Sequence, residues 1–246
     1  MEVHQIKSPR KHISHYAFEF LMLFLAVSLG FIVDNFREER ADHKRVKKYM
    51  TALMNDLETD VEHIDSLQAR REMRNAGCDS LVIRLNDPVP HGPSLYYYGR
   101  NASRRLHFYS RDITLEQMKS TGIFRVVDDE ELLNTINHYL LLQKSNQENI
   151  EVEEKELSDY AQLASRIFDA RVFLQMTQGD SIQLPAGDPQ LISNDRLMLN
   201  ETANKLNYWK RTSLTVLETY VQMRSVAKEL IAMISDKYDL KSMKKK

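Results

Sequence analysis

The sequence contains few residues that interrupt helices, with 7 glycines and 6 prolines among its 246 residues. Neither type occurs within residues 31–76, 123–178 or 190–246. Because Gly and Pro destabilise helix interiors, these three windows predict three long helices. The chain is therefore predicted to adopt an all-α fold with little β-sheet.

Cysteine is nearly absent, and the single Cys78 excludes an internal disulfide. We interpret Cys78 as a small apolar side chain; a reactive thiol or a bridge between two chains is the alternative. An excess of one charge is also lacking, since 35 acidic residues oppose 34 basic residues for a formal net charge of −1. Nucleic-acid-binding domains usually carry a basic excess, so no nucleic acid partner is expected.

Patterns that carry catalysis or bind metal ions are missing as well. The sequence contains no glycine-rich phosphate loop, nucleophile elbow or His-Glu-x-x-His motif. Asp60 and His63 have the spacing of half a di-iron motif, but no second half accompanies them. For His4, His12 and His15 we expect solvated side chains, with a zinc site as the alternative. We therefore expect no enzymatic activity, no catalytic residue, no metal site and no cofactor.

One long apolar run, residues 16–36, lies near the N-terminus and reads YAFEFLMLFLAVSLGFIVDNF. Its helix would be about 30 Å long, enough to cross the hydrocarbon core of a bilayer. We predict a transmembrane helix here, preceded by a basic tail at 1–15, with the lipid bilayer as partner. The alternatives are a buried amphipathic helix and a signal peptide cleaved near residues 26–28. Glu19 within the run, and the apolar residues that continue to Val33, argue against cleavage.

Five residues of this segment share one helical face: Glu19, Leu23, Ala26, Gly30 and Val33. Ala26 and Gly30 form a pair of small residues one turn apart, which lets two helices approach closely. This face predicts an interface in the membrane with a second copy or with another membrane protein. Because a carboxyl group facing lipid is costly, we place Glu19 against that partner; the alternative is that it reaches the headgroups.

The remainder, residues 37–240, is predicted to be a helical soluble domain, followed by a short basic tail at 241–246. An apolar stripe predicts that the first helix continues from the membrane over about 40–75 and ends near Gly77. The following region, 77–127, contains three of the six prolines and four of the seven glycines and is predicted to be an irregular insert with short helices.

Two further helices are predicted at 129–170 and 197–237. The middle of the former, 143–156, is strongly polar, which predicts a solvated or kinked segment in which Glu153 and Glu154 face solvent. The latter carries a seam of residues spaced by three and four. It consists of Leu206, Trp209, Ser213, Val216, Tyr220, Met223, Ala227, Leu230 and Ile234. We expect this seam to pack within its own bundle, with an intermolecular coiled coil as the alternative.

A run rich in tyrosine and arginine within the insert is the candidate binding surface. Its members are Tyr96, Tyr97, Tyr98, Arg100, Arg104, Arg105 and Arg111. Arginines bind carboxylates or phosphates, and tyrosines stack on sugars or bases. The alternative, which we favour, is a capping segment whose rings pack on the bundle and whose arginines pair with acidic helices.

Two stretches together resemble an uncharacterised family of single-pass bacterial membrane proteins. They are FLAVSLGFIVDNFREER at 24–40 and TLEQMKSTGIFRVVDDEELLNTINHY at 114–139. Phe36 stands where that family more usually has Trp, and Asp34 where it has Asn. The resemblance covers about a third of the chain and implies a bacterial origin and an inner-membrane setting. It implies no activity, because the family is a domain of unknown function.

The expected function is that of a membrane-anchored helical module for binding, sensing or scaffolding. The alternative is a structural subunit of a larger membrane assembly, joined through its transmembrane helix. Counting basic residues on either side of residues 16–36 would place the soluble domain in the cytoplasm. We instead expect a periplasmic soluble domain, because a basic tail before an N-terminal anchor commonly stays in the cytoplasm.

Overall fold

A computed structural model of the protein describes residues 13–179 and 181–240. Its helices are α1 (Ile13–Leu85), α2 (Pro93–Ala102), α3 (Ile113–Ser120), α4 (Glu130–Ile167), α5 (Ala170–Met176) and α6 (Arg196–Tyr238), with a 3-10 turn at Ile123–Val126. The only strands in this part of the chain are β1 (Thr177–Gln178) and β2 (Ser181–Ile182), an antiparallel pair. The prediction of a mostly helical protein is confirmed. The predicted C-terminal tail, most of the N-terminal tail, and the side chains of His4, His12 and His15 lie outside the described residues.

Helix α1 is a single helix of 73 residues. A stretch near its N-terminus is long and apolar enough to cross a membrane, and none of that stretch is buried against the rest of the chain. A signal sequence near the N-terminus can be equally long and apolar. The first buried residue of α1 is Val46, where the helix enters the bundle.

The expected end of this helix near Gly77 is wrong, because α1 continues to Leu85 and includes the predicted short helix at 79–85. Gly77 instead allows α2 to pack closely against α1. A Cβ atom at Gly77 would lie 3.2 Å from Cδ1 of Tyr98, so the missing side chain lets the Tyr98 ring approach α1. The helix ends where Pro88 follows, since Pro disfavours helical conformation in the residue before it.

Helices α4 and α6 begin and end within three residues of the predicted bounds. Each has an aspartate at its N-cap: Asp129 accepts a hydrogen bond from the N–H of Leu132, and Asp195 accepts one from Leu197. Every residue of the predicted α6 seam is buried. Helix α6 packs against both α1 and α4, so the seam is covered within its own bundle.

The bundle contains two apolar cores. The first includes Met50, Leu57, Ile64, Ile136 and Met223. The second includes Leu81, Leu95, Tyr160, Leu199 and Trp209. Burial of each such side chain contributes roughly 1.5–3 kcal/mol, so most of the stability comes from these two cores. Along each long helix, buried polar side chains lie between the two cores: Arg71, Arg74 and Asn75 of α1, Glu153 of α4 and Ser213 of α6.

Candidate functional site

An extended segment, residues 104–112, connects α2 to α3 and is held by side chains of the long helices. We refer to it as the central segment. Two arginines of α1 donate hydrogen bonds to its carbonyl oxygens: Arg71 Nε to Leu106 at 2.8 Å, and Arg74 Nη1 to Arg104 at 2.8 Å. Leu106 is 5 % exposed, so its carbonyl depends on a protein donor.

The other long helices bind the next residues of the central segment. The N–H of Phe108 donates to the hydroxyl oxygen of Tyr220 on α6 at 2.7 Å. Asn146 Nδ2 on α4 donates to the carbonyl of Phe108 at 3.1 Å. The N–H of Arg111 donates to Oδ1 of Asp60 on α1 at 3.0 Å. Side chains from all three long helices therefore supply hydrogen-bond partners to the backbone of a segment that belongs to no helix or strand.

Glu153 of α4 forms the centre of a buried ionic network. Its carboxylate accepts two hydrogen bonds from Arg71, from Nη1 at 2.9 Å and Nη2 at 2.6 Å, and a third from Arg74 Nη2 at 2.8 Å. Glu153 and Arg71 are fully buried. The prediction that Glu153 faces solvent is therefore wrong, and α4 runs through its polar middle as one unbroken helix.

Polar and aromatic groups complete the surroundings of the two arginines. The hydroxyl of Ser213 on α6 accepts a hydrogen bond from Arg74 Nη2 at 2.9 Å. The guanidinium carbon of Arg71 lies 5.1 Å from the ring centroid of Tyr220, and that of Arg74 lies 4.4 Å from the ring of Trp209. Such cation–π contacts gain strength where water is excluded. The network thus joins all three long helices at one level.

The network carries more positive than negative charge. Burial would raise the pKa of Glu153, but contacts with His107 and Arg71 and the charges of both arginines outweigh it and hold that pKa at about 2. Burial lowers the pKa of Arg74 to about 10, a change that Glu153 opposes and Arg71 reinforces. His107 Nε2 lies 3.4 Å from Glu153 and 3.3 Å from Glu154, without the alignment of a hydrogen bond. At neutral pH two buried guanidinium groups share one fully buried carboxylate.

A cavity of about 340 Å³ opens beside this network. Its wall includes Arg70, Arg74, Tyr97, Tyr98, Asn101 and Arg104, and within the described chain no acidic residue lines it. Arg74 is 5 % exposed and belongs to both the cavity wall and the ionic network. Its Nε–H has no acceptor among the described residues. The Nε atom is itself fully buried, so Arg74 meets the cavity with other parts of its side chain.

The structure divides the predicted tyrosine and arginine surface. Tyr97, Tyr98 and Arg104 line the cavity. Tyr96 is buried in the core, where its hydroxyl donates to the carbonyl of Gln190 at 2.7 Å. Tyr97 and Tyr98 lie on α2 and Arg104 lies in the central segment, so two parts of the chain contribute to the cavity wall.

The remaining arginines of the predicted surface lie outside the cavity wall. Arg105 pairs with Glu154 at 2.9 Å, and Arg111 is exposed. The Arg100 guanidinium lies 5.8 Å from the Phe173 ring centroid. The expectation of an irregular segment is wrong for the tyrosines, which occupy helix α2. The pair between Arg105 and Glu154 of α4 is the kind of contact that the capping-segment alternative predicts.

The predicted face at Glu19, Leu23, Ala26, Gly30 and Val33 lies on the exposed N-terminal part of α1, outside the bundle. A Cβ atom at Gly30 would have no neighbour within 4 Å. This face is therefore separate from the cavity, and the rest of the described chain does not cover Gly30.

Sequence reasoning missed Arg71, Arg74 and Glu153. The spacing of the apolar stripes could have identified these residues. Arg71 and Arg74 follow Leu67 at the same spacing of four and three that carries the stripe on to Cys78. Charged residues at stripe positions on two helices indicate a buried ion pair, since either one alone would be costly to bury.

Comparisons of the chain with protein-family models, with curated proteins and with solved structures found no match.

Proposed function

We propose that this protein is a membrane-anchored helical module that binds a small molecule in the cavity between α1 and α2. One observation carries the proposal: α1 contributes both the exposed apolar stretch and one wall of the cavity. At 1.5 Å per residue, about 57 Å of uninterrupted helix separates Phe36 from Arg74. The cavity is within the size range of small-molecule sites, at its lower end.

The proposal also specifies which membrane holds the protein and on which side of it the bundle lies. A single transmembrane helix at 16–36 in a bacterial inner membrane, with the bundle in the periplasm, agrees with the family resemblance of 24–40 and 114–139. Membrane fractions should retain the full chain after carbonate extraction, and its N-terminus should be uncleaved. A mature N-terminus near Leu29 would instead identify residues 16–36 as part of a signal peptide.

Binding in the cavity can be tested on the full chain purified in mild detergent. Met73 is 77 % exposed at the edge of the cavity, and Met73→Trp places a large ring there. Native mass spectrometry should detect a small molecule on the wild type that is lost from this variant. Ile83→Trp is the matched control, since Ile83 is 68 % exposed on the same helix and does not line the cavity. Equal retention by both variants would contradict the proposal.

A structural subunit of a larger membrane assembly is the second candidate, and the uncovered Gly30 favours it. If Ala26 and Gly30 pack against a partner helix, Gly30→Leu should weaken association more than Glu19→Gln, because interhelical polar contacts contribute only about 0.6 kcal/mol on average. Phe31→Leu, on another face, should have little effect. Dimerisation of residues 13–40 in a bacterial membrane reporter measures this, and equal association for wild type and Gly30→Leu would remove the interface.

A further inference from the structure

Where α1 leaves the apolar stretch, most of its exposed basic residues lie along one side of the helix. We call them the basic stripe; its members are Arg37, Arg40, Lys44, Lys47 and Lys48. Their spacing of three and four residues keeps them on one face of a helix. Glu39 and Asp42 each follow a stripe arginine by two residues, which places them about 200° round the helix, and Glu38 lies about 100° from Arg37. The face that carries the stripe is therefore free of acidic side chains between residues 37 and 48.

The bundle does not cover the stripe. Val46 and Met50, the first buried residues of α1, each follow a stripe lysine by two residues, so the bundle lies on the opposite side of the helix. Arg37 pairs with Asp34 at 3.5 Å, an exposed contact of the kind that contributes little. The side chains of the other four members form no ion pair within the part of the chain that the structure describes. Exposed charges are stable in water without a counter-charge, so the position of the stripe, rather than its charge alone, indicates its use.

The stripe continues the predicted membrane face that runs from Glu19 to Val33. Residues of that face are spaced alternately by four and three, and Arg37, Arg40, Lys44 and Lys47 extend the same alternation without a break. No loop interrupts it, because α1 is one helix from Ile13 to Leu85. Such an alternation is the spacing by which one helix meets another along its length. The membrane face and the stripe together form one row, which we call the outer row of α1.

The outer row is unsuited to a second copy of the chain. Two copies inserted in the same direction pair in parallel, and each residue of the row then lies opposite its own equivalent. Arg37 would face Arg37, and like charges would also meet at the next three positions of the row. Facing like charges oppose association and select against a wrong partner. A helix with acidic side chains at these positions would instead gain an attractive contact at each of them.

The length of the stripe favours a protein partner over lipid headgroups. From Arg37 to Lys48 the helix rises about 17 Å. The headgroup layer on one side of a bilayer is only about 5–8 Å thick, so Lys47 and Lys48 extend beyond it when α1 leaves the bilayer near the normal. Insertion does not explain the one-sided placement either, because the number of basic residues, not their side of the helix, directs insertion.

We infer that the outer row binds a transmembrane helix of a different protein, one that carries acidic side chains where it leaves the bilayer. The apolar half, around Ala26 and Gly30, packs inside the membrane, and the basic stripe pairs outside it. This inference rests on the second candidate function, a subunit of a membrane assembly, because it names the partner of the same face.

A charge-reversed copy of the chain provides a defined acidic partner. The stripe variant combines Arg37→Glu, Arg40→Glu, Lys44→Glu and Lys47→Glu and keeps the apolar half of the row. Wild type and variant, as full chains with different affinity tags, are co-expressed so that both insert into one membrane, and one tag recovers both in mild detergent. The mixed pair should be recovered roughly tenfold more than the wild-type pair or the variant pair, since exposed ion pairs replace repulsions. Recovery should fall in about 1 M salt, where the Debye length is about 3 Å.

The matched control reverses four exposed basic residues of the bundle: Lys144→Glu, Lys155→Glu, Arg166→Glu and Arg211→Glu. It has the same net charge as the stripe variant, and wild type should recover it no better than a second wild-type chain. Equal recovery of the two variants by wild type would overturn the inference. A wild-type pair recovered as well as the mixed pair would also overturn it and identify a second copy as the partner. Absence of the mixed pair, with phosphatidylglycerol retained by wild type and lost from the stripe variant, would assign the stripe to lipid headgroups instead.

Failure of the candidate function is recognised separately. Gly30→Leu in both chains should abolish the mixed pair, because both halves of the outer row contact one partner. A mixed pair insensitive to Gly30→Leu would contradict the joining of subunits through the transmembrane helix, without restoring a second copy as the partner. The segment 13–40 contains only Arg37 and Arg40 of the stripe, so its self-association tests the membrane half of the row.

Discussion

Replacement of Glu153 by Gln isolates the contribution of the ionic network to stability. Gln keeps the shape of the side chain but removes its charge, and it turns an NH₂ group towards at least one of the guanidinium nitrogens that now lie 2.6–2.9 Å away. Arg71 and Arg74 would remain buried without a counter-charge. Removing one partner of a buried pair typically costs about 3–5 kcal/mol.

The pKa of Glu153 gives a second estimate of the same quantity. That pKa is lowered from 4.5 to about 2 in the folded protein. Each pKa unit corresponds to about 1.4 kcal/mol, so the ionised carboxylate stabilises the fold by about 3 kcal/mol. Because the folded pKa is lowered, this contribution is fully present above the unfolded pKa and is lost as the pH falls from about 4.5 towards 2.

Thermal unfolding of the full chain in mild detergent, followed by circular dichroism, measures the effect. A loss of 3–5 kcal/mol should lower the Tm by roughly 6–20 °C for a protein of this size. The neighbouring Glu154→Gln is the control, because Glu154 is 31 % exposed and its partner Arg105 is 71 % exposed. Exposed pairs contribute at most about 1 kcal/mol. A Tm shift for Glu153→Gln no larger than that for Glu154→Gln would refute the role assigned to the network.

Two further predictions concern other buried contacts. Burial raises the pKa of Asp60 to about 6, against the opposing hydrogen bonds from Arg111 and Tyr139, so ionised Asp60 costs stability at neutral pH. The free energy of unfolding should therefore rise by up to about 3 kcal/mol as the pH falls from 7 to 4, and Asp60→Asn should remove that rise in urea titrations. Gly99→Ala should destabilise the bundle by about 1–3 kcal/mol, because the new Cβ would lie 2.5 Å from Cζ of Phe168. Gly30→Ala, with open space around it, is the control, and equal Tm values for the two would contradict the clash.

The sequence predicted α4 and α6 well because local chemistry marks their ends. Asp129 and Asp195 are both N-caps, and long apolar stripes follow them. The end of α1 was missed because Gly77 looked like a helix terminator, whereas the structure uses it for contact with Tyr98. Tyr98 lies on α2, which begins at Pro93, so no pattern in the residues next to Gly77 indicates this contact.

Helix α2 was missed for a related reason. Three prolines at residues 88–93 indicated a loop, but Pro93 is the first residue of α2, a position where its missing N–H is no loss. The tyrosines therefore lie on a helix and are held at fixed spacing. The sequence did identify Tyr97, Tyr98 and Arg104 as binding candidates, yet it did not indicate that Arg74 would join them, because that partner is distant along the chain.

The ionic network specifies a feature that the apolar stripes leave open. The stripes determine which face of each helix is buried, but they repeat every seven residues, so a helix displaced by one repeat would still bury apolar side chains. Such a displacement of α4 would move Glu153 by about 10 Å along its axis and leave Arg71 and Arg74 buried without a counter-charge. Charge pairing at this level therefore selects one register of α4 against α1. Because Arg74 belongs to both the network and the cavity wall, the register that pairs Glu153 is also the one in which the cavity faces its arginines.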